Sequence, residues 1–233
     1  MPRERYLDRL DELRADVVAM GDLVCERYEA AVRAAVAGDE ALADEIAAGD
    51  DAVNETYLGL EEACIDLFAL QQPVAGDLRF VAASFKLITD LERVADLATN
   101  IAAYGGPEGG VHDAVDVRDL GEGAREMVAD AVAAYAARDP DACREIAASD
   151  DAFDERCREA SEAVVRELLK ADRARDAARD GPAPTDGEAL EASLDEVSQA
   201  LLAVRDLERV ADHAVNIAAR TLYMVENDDE LIY

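Results

Sequence analysis

The chain contains little lysine, few aromatic residues and no tryptophan. Only Lys86 and Lys170 are lysines among its 23 basic residues, whereas aspartate and glutamate number 54, which gives a net charge of −31. Such a surface repels nucleic acid and anionic membranes, because phosphate groups are bound by clustered positive charge. We therefore expect no nucleic-acid partner, and association with a membrane only through other proteins.

The acidic residues are spread over the whole chain and are not confined to one segment. This distribution, with lysine nearly absent, is typical of a halophilic protein whose charge repulsion is screened by concentrated salt. The alternative is an acidic protein that binds metal or a basic partner. On the first interpretation the charge reflects adaptation to a salty cytoplasm and says little about the function.

Long apolar runs are also absent. No stretch approaches the ~20 consecutive apolar residues of a membrane span, and the first residues lack the apolar centre of a signal peptide. The expected location is therefore the cytoplasm. There is no Cys-x-x-Cys pair, and in a reducing compartment scattered cysteines are expected to be small core residues. These cysteines are Cys25, Cys64, Cys143 and Cys157.

The pattern that is present is helical. Apolar residues recur at spacings of three and four, and no segment shows the alternation of a strand, so the prediction is an all-α protein. Val81, Phe85, Ile88, Leu91, Ala95 and Ala98 form one such apolar stripe, and another runs from Leu7 to Ala31. Six helices are predicted: about Glu4–Ala37, from the cap Asp39 to Gln71, Val74–Tyr104, Ala114–Ala137, from Pro140 to the linker near Gly181, and Glu188–Val225.

The chain repeats itself. Residues 90–103 (DLERVADLATNIAA) return as 206–219 (DLERVADHAVNIAA), with 12 of 14 positions identical at an offset of 116. Residues 45–52 return as 145–152 at an offset of 100. An internal repeat of this size predicts two structural units of the same kind. We expect a first three-helix bundle in 1–104, a Gly-rich linker in 105–112, and a second three-helix bundle in 113–233.

Each repeat places acidic or amide side chains at the edge of its core stripe. Asp50 lies 23 residues before Pro73 and Asp96 lies 23 residues after it, so in an antiparallel hairpin the two are at similar heights. The first set is Asp50, Asn54, Glu92 and Asp96, and the second is Asp150, Asp154, Glu208 and Asp212. Asp90 and Arg93 are predicted to point to solvent, as are His112 and His213.

Oxygen-only ligand sets suit hard or borderline cations such as Mg²⁺, Ca²⁺, Mn²⁺ or iron. Two interpretations are open: each set binds such a cation, or its acids are solvated and paired with Arg79, Arg205 or Arg209. The second set, with four carboxylates, is the stronger candidate. No catalytic residues are predicted, because Glu-x-x-His pairs, Gly-rich phosphate loops and Ser/His/Asp or Cys/His arrangements are all missing from the sequence.

The paired motif Asp-Leu-Glu-Arg-Val-Ala-Asp-x-Ala-x-Asn-Ile-Ala, with Asp212-His213 in the last copy, resembles the signature of the PhoU family. Residues 71–79 (QQPVAGDLR) are similar to the turn before that family's third helix. The resemblance covers essentially the whole chain. Departures are mild: Ala95 and Ala211 replace the usual glycine, and Asn54 weakens the first metal motif.

The resemblance implies a non-enzymatic adaptor, with a homodimer expected, that negatively regulates high-affinity phosphate uptake. The implied partners are the ATPase subunit of the phosphate ABC transporter and, in some hosts, a sensor histidine kinase. It also implies that metal ions, where present, are bound by the two oxygen-ligand sets. The alternatives are a carboxylate-bridged metalloenzyme and a PhoU-like regulator of another transporter.

Overall fold

All the regular secondary structure in the described residues of the computed structural model is helical; these residues are 3–70, 75–105, 111–177 and 187–232. The segments are α1 (Arg3–Ala37), α2 (Glu40–Ala48), α3 (Asp50–Leu70), α4 (Ala75–Ala103), α5 (Val117–Ala137), α6 (Pro140–Ala177) and α7 (Gly187–Glu226). The all-α prediction is confirmed. Within those ranges no helix combines the length with the apolar character needed to cross a membrane.

The predicted second helix is interrupted at Gly49. The N–H of Gly49 bonds to the carbonyls of both Glu45 and Ile46, which closes α2 before α3 begins. In the second repeat α6 runs through the corresponding Ser149 without a break. One continuous second helix was therefore a wrong expectation, because glycine is about 1 kcal/mol less favourable than alanine inside a helix. Its predicted end at Gln71 lies outside the described residues.

The helices form two bundles, α1–α4 and α5–α7, and the prediction of two three-helix bundles is confirmed with α2 and α3 together as one member. Contacts of α1 with α5 and of α4 with α7 join them. We call these two contact regions the inter-bundle seam. The buried apolar side chains form one connected core across it. The division at 105–112 stays a prediction, since 106–110 lie outside the described residues.

Helical periodicity located the core well. On α4, Val81, Ile88 and Leu91 are completely buried, whereas Phe85 is buried only in part. On α1 the predicted apolar stripe is buried except at its start, where Leu7 is 43% exposed. Of the cysteines, Cys25 is half-buried and the other three are buried, and all four are free thiols. The cysteine prediction therefore fits the structure.

Two glycines let α1 and α5 approach closely. A Cβ placed on Gly21 would lie 2.8 Å from the Val132 methyl carbons, and one placed on Gly121 would lie 2.7 Å from Val32. These contacts exchange under the sequence offset of 100. The repeats are thus related by an approximate twofold arrangement, and residues at this offset occupy corresponding places on α1 and α5.

Polar side chains also cross the seam, where two predictions were wrong. His213 is only 7% exposed, and its Nδ1 lies 3.0 Å from Oδ1 of Asp90, which is 7% exposed as well. Both had been expected in solvent. Asp206, at the position corresponding to Asp90, is fully buried and accepts a 2.7 Å hydrogen bond from the Tyr104 hydroxyl. The α4 and α7 faces turned away from their own bundles therefore pack against each other.

Candidate functional site

The structure brings the four acids of the second repeat into one another's electrostatic range. Asp150 and Asp154 come from α6, and Glu208 and Asp212 come from α7; we call them the second acidic cluster. Burial, followed by the charges of Asp154 and Asp212, raises the pKa of Asp150 to about 6. Asp154 and Glu208 line the same surface cleft between the two helices. Carboxylates from both helices therefore share one site.

Burial and neighbouring charge act in the same direction on Asp154 and Glu208. The pKa of Asp154 is raised by burial and then by the charge of Asp212. Burial also raises the pKa of Glu208, with further contributions from Asp154 and Asp212. Each shift favours the protonated carboxyl, first because burial disfavours the charged form and then because neighbouring carboxylates repel it.

Arginine does not neutralise the second acidic cluster. Among the described residues, none of its four carboxylates makes an ion pair within 4.0 Å, and Oδ1 of Asp150 is buried without a hydrogen-bond partner. Arg205 and Arg209 instead contact Asp206, at 2.8 and 3.6 Å. The interpretation in which these arginines pair with the acids therefore does not describe this bundle.

Neither of two other arginines pairs with the cluster. Arg158, which lines the cleft beside Glu208, pairs with Glu155 and Glu162 on its own helix. Arg79 lies at the start of α4, in a different cleft.

A buried thiol lies beside the cluster: Cys157 follows Asp154 by three residues on α6 and so lies on the same face of the helix. Burial, reinforced by the charges of Glu208 and Asp154, raises the pKa of Cys157 to about 12. A thiol in such surroundings stays protonated at neutral pH and is therefore a poor nucleophile and a poor metal ligand. The chemistry of this site belongs to the carboxylates.

The first repeat is built differently. The side chain of Asp50 lies outside the described residues; Asn54 and Glu92 are half-buried, and Asp96 is exposed. Asn54, Glu92 and Asp96 all take part in polar or electrostatic interactions. Their number of carboxylates is one fewer than in the second repeat, as the sequence indicated.

A protein cation reaches this part of the first bundle. Arg27 on α1 donates from Nη2 to Oγ1 of Thr99 at 3.0 Å, and its Nη1 lies 3.3 Å from where a Cβ on Gly49 would be. At the offset of 100 the second bundle has Met127, which is neutral and apolar. The difference between Arg27 and Met127 is visible in the sequence, but it has a meaning only once α1 and α5 are known to correspond at an offset of 100.

The chemistry that the site permits is binding of a hard cation by oxygen atoms. In the described part of the chain, no three His, Cys, Asp or Glu side chains already stand close enough together to hold a metal ion. The second acidic cluster nevertheless fits a cation, because its donors are carboxylates. A cation would also give the buried oxygen of Asp150 a partner and relieve the mutual repulsion.

Neither histidine belongs to the clusters. Nδ1 of His213 is engaged by Asp90 at the seam. His112, predicted to be in solvent, is half-buried, and its Nδ1 accepts a 3.0 Å hydrogen bond from the N–H of Ala114.

Comparison with known proteins gives consistent results. The family model described as PhoU domain matches residues 17–104 and 117–221. A phosphate-specific transport system accessory protein PhoU homolog from Pseudomonas putida is 30% identical, over 97% of this chain and 82% of the relative. The crystal structure of PhoU from Pseudomonas aeruginosa superimposes with a TM-score of 0.82 at 29% identity, covering 96% of this chain and all of that one. The phosphate transport system regulatory protein PhoU from Streptococcus pneumoniae gives 0.78 at 25% identity, covering 96% and 98%.

Proposed function

Since this chain belongs to the PhoU family, whose model matches both of its repeats, we propose that it is a regulatory adaptor of phosphate homeostasis. In this role it negatively regulates high-affinity phosphate uptake by binding the ATPase subunit of the phosphate ABC transporter. The observation that carries the proposal is the pair of matched repeats on a fold that superimposes along nearly its whole length on PhoU structures.

The relatives are named as accessory or regulatory proteins of phosphate transport, not as enzymes. This agrees with the prediction of a non-enzymatic protein. A helical scaffold whose bundles share one core suits an adaptor, because such a protein acts by presenting surfaces to its partners. We place its action in the cytoplasm, where the ATPase subunit of an ABC transporter is accessible.

A binding assay between purified proteins tests the adaptor role directly. The chain, immobilised without a histidine tag, should retain the ATPase subunit of the host's phosphate transporter from solution. The matched control is the ATPase subunit of an unrelated ABC transporter from the same host. Retention of neither subunit, or of both equally, would contradict the proposal. Selective retention of a low-affinity phosphate permease would support a regulator of a different transporter.

A sensor histidine kinase is the second partner that we propose, in hosts that possess one. The same assay with the kinase's cytoplasmic portion tests this interaction separately. We further propose that the adaptor acts as a homodimer. Light scattering on a sizing column should then give about twice the 25.0 kDa of one chain, and a mass equal to one chain would exclude the dimer.

We also propose that the second acidic cluster binds a divalent or iron cation through Asp150, Asp154, Glu208 and Asp212. Such a cation would supply positive charge that cancels the repulsion between α6 and α7, so its role would be structural. The supporting observations are the unpartnered Asp150 oxygen and the raised carboxyl pKa values. Elemental analysis of protein purified without chelator or histidine tag tests it. Substoichiometric metal after incubation with Mn²⁺ or Fe²⁺ would remove the proposal.

In the first bundle we propose a weaker site at Asp50, Asn54, Glu92 and Asp96. Arg27 reaches this region, and Asn54 removes one negative charge from the set. Both features reduce the need for an external cation. The two bundles should therefore differ in metal affinity despite their similar sequences.

A further inference from the structure

A cleft of about 270 Å³ opens where the starts of α1 and α4 meet the ends of α5 and α7. Arg79, Phe80 and Arg138 line it, together with Gly76 and Asp77 in the first turn of α4. We call it the arginine cleft. It is separate from the second acidic cluster: Met224 on its wall follows Asp212 by 12 residues, about 18 Å along α7.

The positive charge of this cleft stands out in so acidic a protein. The chain has 54 acidic residues against 23 basic ones. Even so, among the described residues neither Arg79 nor Arg138 makes an ion pair within 4.0 Å, not even with Asp77 on the same wall. Nε of Arg79 is buried with no hydrogen-bond acceptor in that part of the chain. A buried donor without an acceptor is costly, and a bound anion would supply the acceptor.

The backbone at Arg138 adds a second observation. Arg138 ends α5 with φ 55°, in the left-handed region. The corresponding residue in the first repeat is Gly38, which has φ 63°. Glycine adopts this conformation without strain, whereas a residue with a side chain pays roughly 1 kcal/mol or more. The conformation of this turn would be better satisfied by glycine, so the backbone does not account for the arginine side chain at this position.

The ring of Phe80 supports the guanidinium of Arg138, and Arg14 lies against the same ring. The Cζ atoms of Arg14 and Arg138 lie 5.0 and 5.6 Å from the centroid of its ring. The ring stacks on Tyr135 with centroids 6.1 Å apart, and the Tyr135 hydroxyl lies 2.7 Å from Oγ of Ser84. An arginine seated on a buried aromatic ring keeps its N–H groups free to bind a ligand and loses little entropy in doing so.

We infer that the arginine cleft binds a phosphate group through the guanidiniums of Arg79 and Arg138. The planar guanidinium matches two oxygens of a tetrahedral oxyanion, which makes arginine the preferred partner for phosphate. Inorganic phosphate and a phosphorylated side chain of another protein present the same chemistry. This inference does not depend on the proposed adaptor role or on the metal proposal.

Calorimetric titration of the full chain with inorganic phosphate, and separately with a short phosphoserine peptide, tests the inference at constant ionic strength. The variants are Arg138→Gly, which removes the guanidinium while suiting the left-handed backbone, and Arg79→Gln. The matched control is Arg93→Gln, which removes the same charge from an exposed position on α4. Each cleft variant should weaken binding by about tenfold or more, the effect of losing a charge-assisted hydrogen bond. The control should stay within about twofold of the parent.

The two titrations identify the source of the phosphate group. Saturable binding of inorganic phosphate that is weakened by both cleft variants supports the site with free phosphate as ligand. Binding of the phosphopeptide alone, weakened in the same way, supports it with a phosphorylated partner. If neither ligand binds saturably, or if Arg93→Gln weakens binding as much as Arg138→Gly does, the inference is overturned.

Arginine modification of the parent protein gives a readout that requires no variant. Phenylglyoxal labelling followed by mass spectrometry should show Arg79 and Arg138 protected by the bound phosphate ligand, whereas Arg93 is labelled equally with and without it. Equal labelling of all three arginines in both conditions would overturn the inference.

Discussion

His213 of α7 and Asp90 of α4 form a buried polar contact, 3.0 Å long, that links the two repeats. When Asp90 is a carboxylate it can only accept, and Nδ1 of His213 is then the donor. The first repeat has Leu97 at the position of His213. The contact therefore exists once in the molecule and breaks the symmetry of the repeats.

Removing the carboxylate at this contact should destabilise the folded protein. Asp90→Ala leaves the His213 N–H buried without an acceptor, so we expect the free energy of unfolding to fall by about 1–3 kcal/mol. Adding His213→Leu, the residue of the first repeat, should recover part of this loss. Urea denaturation of the parent, both single variants and the double variant gives the coupling energy. Strictly additive losses would show that the pair contributes nothing as a pair.

The close approach of α1 and α5 predicts that Gly→Ala substitutions there destabilise the protein, whereas the same substitution at an exposed control site stabilises it. Gly21→Ala and Gly121→Ala place a methyl group less than 3.0 Å from buried valine side chains, and each should destabilise by about 1–3 kcal/mol. Gly59 lies inside α3 with nothing within 4 Å of its would-be Cβ. Gly59→Ala should therefore stabilise by about 0.5–1 kcal/mol. Thermal unfolding distinguishes the two signs, and stabilisation by all three substitutions would contradict the packing described.

The raised pKa of Asp150 predicts a pH dependence in the metal-free protein. This pKa is about 6 in the folded state against an ordinary value of 3.8, so the folded protein binds the proton more tightly than the unfolded chain. Stability from this group therefore falls as pH rises from about 4 to 6, and the loss is complete at neutral pH.

Asp150→Asn has no such charge at any pH. In chelator and low salt, its melting temperature should exceed that of the parent by more at pH 7 than at pH 4.5. Asp16→Asn, at an exposed position on α1, is the control and should show no comparable trend. A difference between Asp150→Asn and the parent that is independent of pH, or that grows on acidification, would contradict the electrostatics of the cluster.

The two bundles should lose metal unequally when their acids are removed. Glu208→Ala with Asp212→Ala should abolish the metal bound by the second bundle while leaving helicity intact, because it removes both carboxylates that α7 supplies. Glu92→Ala with Asp96→Ala, the matched pair in the first bundle, should remove much less. Elemental analysis and circular dichroism of the two double variants check this. Unchanged metal content in the first variant would remove the site assignment.

Much of this architecture could be predicted from the sequence, because helical periodicity and the two repeated motifs act within single helices and between neighbours in the chain. The buried stripe of α4 followed from spacing. The grouping of Asp150 with Glu208 was expected by analogy with the first repeat, whose hairpin spacing is the clearer of the two. Asp90 and His213 could not be placed this way. A helical wheel identifies the side that faces the core of its own bundle, and these residues lie on a second side covered by the other bundle.

The arginine cleft could not be predicted from the sequence either, because it too forms between the bundles. Arg79 and Arg138 are 59 residues apart and belong to no shared motif. Only the docking of α4 against the end of α5 brings them to one cleft. The left-handed backbone of Arg138 was also hidden, since the sequence gives a glycine only at the corresponding position in the first repeat.

The proposed role, restraint of high-affinity phosphate uptake, makes a prediction about whole cells. Its most direct test is the initial rate of phosphate uptake, in phosphate-rich medium, by cells that lack the protein, compared with the parent strain and with the same cells after the gene is restored. We expect a higher rate without the protein and a return to the parental rate on restoration. Equal rates in all three strains would contradict it.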